Sequence, residues 1–173
     1  PDNGVKTKGL VQIAHGMAET AARYERFAEV LTRNGYAVYA NDHRGHGKTA
    51  GSLENVGHLA EKDGLVLLVD DMHQLSTMIL KKHPTLPLFL FGHSMGSFAS
   101  QRYIMLYGDG LKGVVLSGSN GSQPLLHRIG FFISKCEVKK HGRKAKSVKM
   151  NQLSFGSYNK HFNPSRTEFD WLS

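Results

Sequence analysis

The chain has 173 residues, 40% of them hydrophobic and 21% charged, with 19 glycines and 5 prolines. That composition suits one ordinary globular domain and excludes a disordered chain, a collagen-like repeat and a coiled coil. The formal net charge of +8 sits almost wholly in the last third: residues 1–123 carry 12 Lys and Arg against 11 Asp and Glu, residues 124–173 carry 10 against 3.

In chain order, Leu10 to Ala14 reads as a strand. Residues 22–33 follow as a helix with Tyr24, Phe27, Ala28 and Leu31 on one face, stopped by Asn34-Gly35. Tyr36 to Ala40 is a second strand. After a loop rich in Gly and His, a helix is expected near 63–82, where Leu65, Leu68, Met72, Leu75 and Ile79 recur at helical spacing before Pro84 and Pro87. Leu88 to Phe91 is a third strand, residues 95–107 a third helix and Val114 to Leu116 a fourth strand. Strands apolar at nearly every position, alternating with helices, predict an α/β fold with a doubly wound, mostly parallel sheet covered on both faces. In that class chemistry gathers beyond the carboxyl ends of the strands, which directs attention to the loops that start at residues 15, 41, 92 and 118.

One of these loops is Gly92-His93-Ser94-Met95-Gly96, which follows a strand without a gap and enters a helix. A serine hydroxyl is a poor nucleophile until it is exposed, oriented and placed beside a base, and a sharp strand-to-helix turn achieves the first two. Gly92 and Gly96 are expected where a side chain would crowd the neighbouring strand or helix. The plain alternative is a tight turn whose serine only caps the helix. The loop after the first strand, His15-Gly16-Met17-Ala18-Glu19, supplies a candidate for the second half of an oxyanion hole: the backbone N–H of Met17, acting with that of Met95. Its own plain alternative is an ordinary glycine turn with His15 as a packing residue.

These two motifs, with Asn41-Asp42-His43-Arg44-Gly45-His46-Gly47-Lys48 between them, resemble the monoacylglycerol lipase and lysophospholipase group of α/β-hydrolases over about residues 8–122. Asn163 to Thr167 and Phe169 to Leu172 resemble the cap of bacterial members. The resemblance implies hydrolysis of lipid-like carboxylic esters with Ser94 as nucleophile, Met17 and Met95 as oxyanion donors, and the Asp42–Gly47 stretch as a structural turn beside the site. Residues 1–123 would then be the N-terminal part of an α/β-hydrolase core and 124–173 the beginning of a cap or lid, with the fold incomplete at both ends.

The group's triad continues with an Asp and then a His in strand-end loops after the cap, and neither is expected in this chain. Glu137 with His161, or Asp109 with His127, satisfies the order but not the strand-end placement. Pro1 and the stop after Trp171-Leu172 suggest a fragment.

Other readings are weaker. Gly47-Lys48-Thr49 hints at a phosphate loop, but Asp42 stands where that loop needs glycine. The ten histidines meet no zinc spacing, so no metal and no organic cofactor is expected. The basic segment 135–149 lacks interleaved aromatics, which argues for a solvated face and against nucleic acid. Next to it, Leu125, Leu126, Ile129, Phe131, Phe132 and Ile133 could cover an acyl pocket or touch a membrane or micelle surface while the basic run meets head groups. The expected partner is a small lipid ester. Two rivals are an amide or peptide hydrolase of the same fold and a non-catalytic fragment binding anionic partners. No apolar run spans a bilayer, no apolar leader headed by Lys is present and Cys136 is the single cysteine, so a cytoplasmic setting is expected.

Overall fold

The computed structural model describes residues 6–167 and Asp170, without the side chain of Leu126. The chain forms two compact units, residues 1–120 and residues 121–173.

The first unit is built on β1 (Gly9–Ala14), α1 (Glu25–Arg33), β2 (Tyr36–Ala40), α2 (Gly64–Lys82), β3 (Leu88–His93), α3 (Met95–Tyr107) and β4 (Gly113–Ser117). The four strands form one all-parallel sheet in the order β2-β1-β3-β4. The chain therefore steps from β1 to β2 on one side, then crosses to β3 on the other. The carboxyl ends of β1 and β3 flank the point where the winding reverses, the usual ligand crevice of open α/β sheets. In register, Ala14 stands opposite Gly92 and His93 opposite Ser117.

Side chains of β3 alternate strictly in burial. Leu88 and Leu90 point into the main core, with Leu68, Val69 and Met72 of α2, Ala99 and Tyr103 of α3, and Ala14 and Leu10 of β1. Phe89 and Phe91 point to the other face, where Phe91 meets Phe27 of α1 at 5.1 Å between ring centroids. That face is thinly covered: α1 has no fully buried residue, and Val115 of β4, level with Phe91, is 56% exposed. The expected sheet with helices on both faces is found, α2 and α3 on one side and α1 alone, and thinly, on the other. Among the described residues one helix, α1, serves the opposite side, packing chiefly on β2 and reaching Phe91 of β3 through Phe27.

Local departures have local causes. The expected helix 22–33 begins as a 3-10 turn, Ala21–Tyr24, before turning α-helical at Glu25. In α2, Leu65 is exposed and Val69 takes its place in the core, because the buried stripe is set by α3 packing and not by the first turn. At the centre of the sheet, the side chain of Gln12 is fully buried yet satisfied, donating to the Met72 carbonyl at 2.9 Å and accepting from Ser76 Oγ at 2.6 Å.

The second unit contains α4 (Pro124–His141) and α5 (Val148–Phe155). Pro124 opens α4, where its missing N–H costs nothing, and Gly142 at φ 88° ends it. The apolar stretch 125–133 and the first part of the basic run thus belong to one 18-residue helix, where separate segments are expected from sequence. The Ser147 hydroxyl caps α5 by accepting from Met150 N–H, and donates to Glu137 Oε2 at 2.6 Å. Of the residues that resemble a bacterial cap, Phe169, Trp171 and Leu172 lie outside the described ones. Among the described residues no helix is long and apolar enough to cross a membrane.

Candidate active site

Ser94 occupies the single residue between β3 and α3, at φ 49° and ψ −117°. An L-residue rarely adopts this backbone, and its cost is of order 1–3 kcal/mol unless the surroundings impose it. They do so through two glycines. A Cβ on Gly92 would stand 2.6 Å from the Gly96 carbonyl oxygen, and one on Gly96 would stand 2.6 Å from the His15 carbonyl oxygen. The start of α3 is thereby pressed directly onto the end of β1. The Ser94 N–H donates to the Ser117 carbonyl at 2.9 Å, tying the turn to β4.

The helix-cap alternative does not describe this serine. Ser94 Oγ makes no cap hydrogen bond; its carbonyl, not its hydroxyl, receives the N–H groups of Ser97 and Phe98 at 2.8 and 3.2 Å. The side chain is partly exposed beyond the strand ends. Next to it, His93 contacts Ser117 Oγ through Nδ1 at 3.2 Å, and packs against Gly118. Among the described residues no imidazole or carboxylate is hydrogen-bonded to Ser94 Oγ.

The loop after β1 lies against this turn: a Cβ on Gly16 would be 3.2 Å from Ser94 Cβ. Met17 is 48% exposed while Met95 is nearly buried. Among the described residues, neither the Met17 nor the Met95 backbone N–H has a hydrogen-bond partner. Both are thus free to donate. His15 is fully buried and does more than pack. Its Nε2 accepts the His43 N–H at 2.9 Å, so the ring proton sits on Nδ1, which donates to the Gly16 carbonyl at 2.7 Å. Burial lowers the pKa of His15, and His46 adds to that, against the opposing effect of the Gly16 carbonyl.

The Asp42–Gly47 turn is a brace. Asp42 accepts the N–H groups of Ala21 and Lys48, each at 2.9 Å, and Arg44 forms a two-pronged pair with Asp71 of α2 at 2.8 and 2.9 Å. His43 and His46 pack around His15, with ring centroids 4.2 and 5.2 Å from it. Among the described residues no group of His, Cys, Asp and Glu is placed to hold a metal ion.

Glu19 belongs to the His15–Glu19 motif but has no role expected from the sequence. In the structure it is buried and accepts from Gly16 N–H, Tyr24 Oη and Arg23 Nη1. Burial pushes its carboxyl up, but these donors outweigh burial and the net pKa lies below the ordinary value. An acid four and five residues ahead of Arg23 and Tyr24 was the available signal.

The sequence matches the family described as "Hydrolase_4: Serine aminopeptidase, S33" over residues 5–172. The chain belongs to this α/β-hydrolase family. It is 35% identical to a monoacylglycerol lipase of Mycolicibacterium smegmatis over 133 residues, covering 74% of this chain and 45% of the relative. With a monoglyceride lipase of Rattus norvegicus it shares 36% over 93 residues, 54% of this chain and 29% of that one. Among solved structures, a thermostable carboxyl esterase from Bacillus coagulans in complex with glycerol superposes with a TM-score of 0.79 at 31% identity, covering 96% of this chain and 53% of the other. A monoglyceride lipase from Saccharomyces cerevisiae has the same fold, with a TM-score of 0.66 at 20% identity, over 96% of this chain and 56% of that one. The chain thus spans less than half the length of these two curated relatives.

Proposed function

We propose that this chain carries the nucleophile and oxyanion half of a serine hydrolase that cleaves lipid-like carboxylic esters, monoacylglycerols or lysophospholipids, through an acyl-enzyme on Ser94. The observation that carries the reading is the non-capping serine on a strained turn, with the unpartnered N–H groups of Met17, in the loop after β1, and of Met95, the first residue of α3. Similarity to monoacylglycerol lipases and to a carboxyl esterase supports the ester class.

In the mechanism, Ser94 Oγ bonds to the ester carbonyl carbon as a base takes its proton. The carbonyl oxygen becomes an oxyanion that receives the Met17 and Met95 N–H groups, each contributing about 3 kcal/mol to the transition state. Collapse breaks the bond to the alcohol oxygen, which leaves with the proton, and water then cleaves the acyl-enzyme by the same route. The base and its orienting acid are supplied from outside these 173 residues. Residues 124–173 serve as the beginning of a cap, and α4 meets the lipid surface that holds the substrate.

The family's description as an aminopeptidase favours one rival, hydrolysis of amide or peptide bonds on the same turn. The deciding assay compares a medium-chain monoacylglycerol with a proline-terminal dipeptide amide on the full natural protein. The ester is expected to turn over faster, and Ser94→Ala to lower kcat by at least about a thousandfold while abolishing fluorophosphonate labelling. Wild-type turnover by Ser94→Ala would end the serine reading; faster amide turnover would transfer it to the rival.

A further inference from the structure

We infer that Glu19 is the positioning residue of the oxyanion loop, acting through the backbone of Gly16 to aim the Met17 amide. This rests on the ester-hydrolase reading of Ser94 and adds a residue to it.

The loop holds two adjacent amides that could compete for a developing oxyanion, those of Gly16 and Met17. Glu19 removes the first from competition, because its Oε1 accepts the Gly16 N–H. It can reach back over three residues because Ala18 turns the chain with φ 61°. On the far side, His15 Nδ1–H holds the Gly16 carbonyl. That carbonyl and the Met17 N–H belong to one planar trans peptide and point in opposite directions. With the plane's carbonyl held by His15 and the preceding N–H held by Glu19, the direction of the Met17 N–H is set from both ends.

The carboxylate has little freedom of its own. Tyr24 Oη donates to Oε1 at 2.6 Å and Arg23 pairs with Oε2, both from the 3-10 turn Ala21–Tyr24. That turn is fixed in its place by Ala21 N–H on Asp42 Oδ1 at 2.9 Å. Gly16 lies close to both partners: a Cβ there would lie 2.8 Å from Glu19 Oε1 and 3.2 Å from Ser94 Cβ. Any side chain at 16 would break the clamp, and so would any loss of the acceptor at 19.

The test uses Glu19→Gln, which keeps an acceptor oxygen for Gly16, and Glu19→Ala, which does not. Steady-state ester hydrolysis by the full natural protein is measured well below the melting temperature of each variant, with the Gly16 and Met17 amide resonances of ¹⁵N-labelled protein. Misaiming one oxyanion donor is expected to lower kcat by about tenfold to a hundredfold in Glu19→Ala with KM within about twofold, and Glu19→Gln is expected to recover most of it. The Gly16 amide proton is expected to lie far downfield in wild type and to return toward random-coil values in Glu19→Ala. A folded Glu19→Ala with wild-type kcat, or with an unmoved Gly16 amide, overturns the inference. So does a Glu19→Gln as slow as Glu19→Ala at equal stability. If Glu19→Ala does not fold, the amide shift and kcat of Glu19→Gln against Glu19→Asp, whose shorter side chain falls short of Gly16, decide by the same criteria. Failure of the Ser94 reading looks different: Ser94→Ala then keeps its turnover, whatever the Gly16 resonance does.

Discussion

His43 is buried with no hydrogen-bond partner for either ring nitrogen, packed on His15 and close to His46. Burial and the two neighbouring imidazoles push its pKa down to about 3, with Asp42 opposing. The native state therefore refuses a proton that the unfolded chain accepts near pH 6.5, and stability is highest above that pH. It falls as pH drops from 6.5 toward 3, by about 2 kcal/mol between pH 7 and 5 for this group alone. Glu19 and Asp42, whose pKa values are lowered, lose their contribution only below the ordinary carboxylate range, so this window isolates the imidazoles. Urea unfolding at pH 7 and pH 5 is expected to show that loss in wild type and a loss about 2 kcal/mol smaller in His43→Phe; equal losses in both would refute the burial account. At this scale the strand-to-helix turn at Ser94 and the two glycines flanking it were legible, because backbone meets backbone there too closely for a side chain. Glu19 was only half legible: its spacing to Arg23 and Tyr24 signals their contact, but its reach back to the Gly16 N–H depends on a left-handed Ala18 that no propensity announces.

Among the elements, α4 carries the clearest unspent capacity. Leu125, Ile129 and Phe132 lie at spacings of four and three along it, exposed at 73, 49 and 68%. Its last turn holds Lys139 and Lys140, and Lys135 sits over the Phe131 ring at 4.5 Å. An apolar stripe leading into a cationic end suits an anionic bilayer surface, with about 1 kcal/mol per basic residue at the interface. Sedimentation with phosphatidylglycerol vesicles at low salt is expected to pull the chain down. Lys139→Glu with Lys140→Glu should weaken binding by tenfold or more, and neutral phosphatidylcholine vesicles should bind poorly. Equal binding to both lipids would refute the electrostatic half of the idea. The full extent of this helix was hidden in the sequence by Gly130 and by the shift from apolar to basic residues near 134, although no proline interrupts it between Pro124 and Gly142. The strands were easier, each a short apolar run closed by turn chemistry, but their order and register came only from the structure, because parallel pairing leaves no local signal of which strand lies beside which.

At the scale of the molecule, the sheet's two faces are unequal. Phe89, Phe91 and Val115 line a shallow apolar surface beside Phe27 and Leu31, with cavity volume near 270 Å³. Alternating strands and helices predicted that both faces would be apolar. They could not say how many helices each face would receive, because a strand buried on both sides reads the same whatever covers it. The 173-residue chain is expected to raise the fluorescence of an anilinonaphthalene dye at neutral pH while its near-ultraviolet circular dichroism stays intact, and Val115→Lys should reduce the signal. A native, dye-silent chain would mean that the surface closes in solution.

Among the described residues the outer strands β2 and β4 each pair on one side only, whereas the serine turn and its flanking loop spring from the inner pair, β1 and β3. Redesign at the β2 rim therefore leaves the serine turn untouched, whereas any change that shifts Ser117 at the carboxyl end of β4 is passed to Ser94 through their shared hydrogen bond.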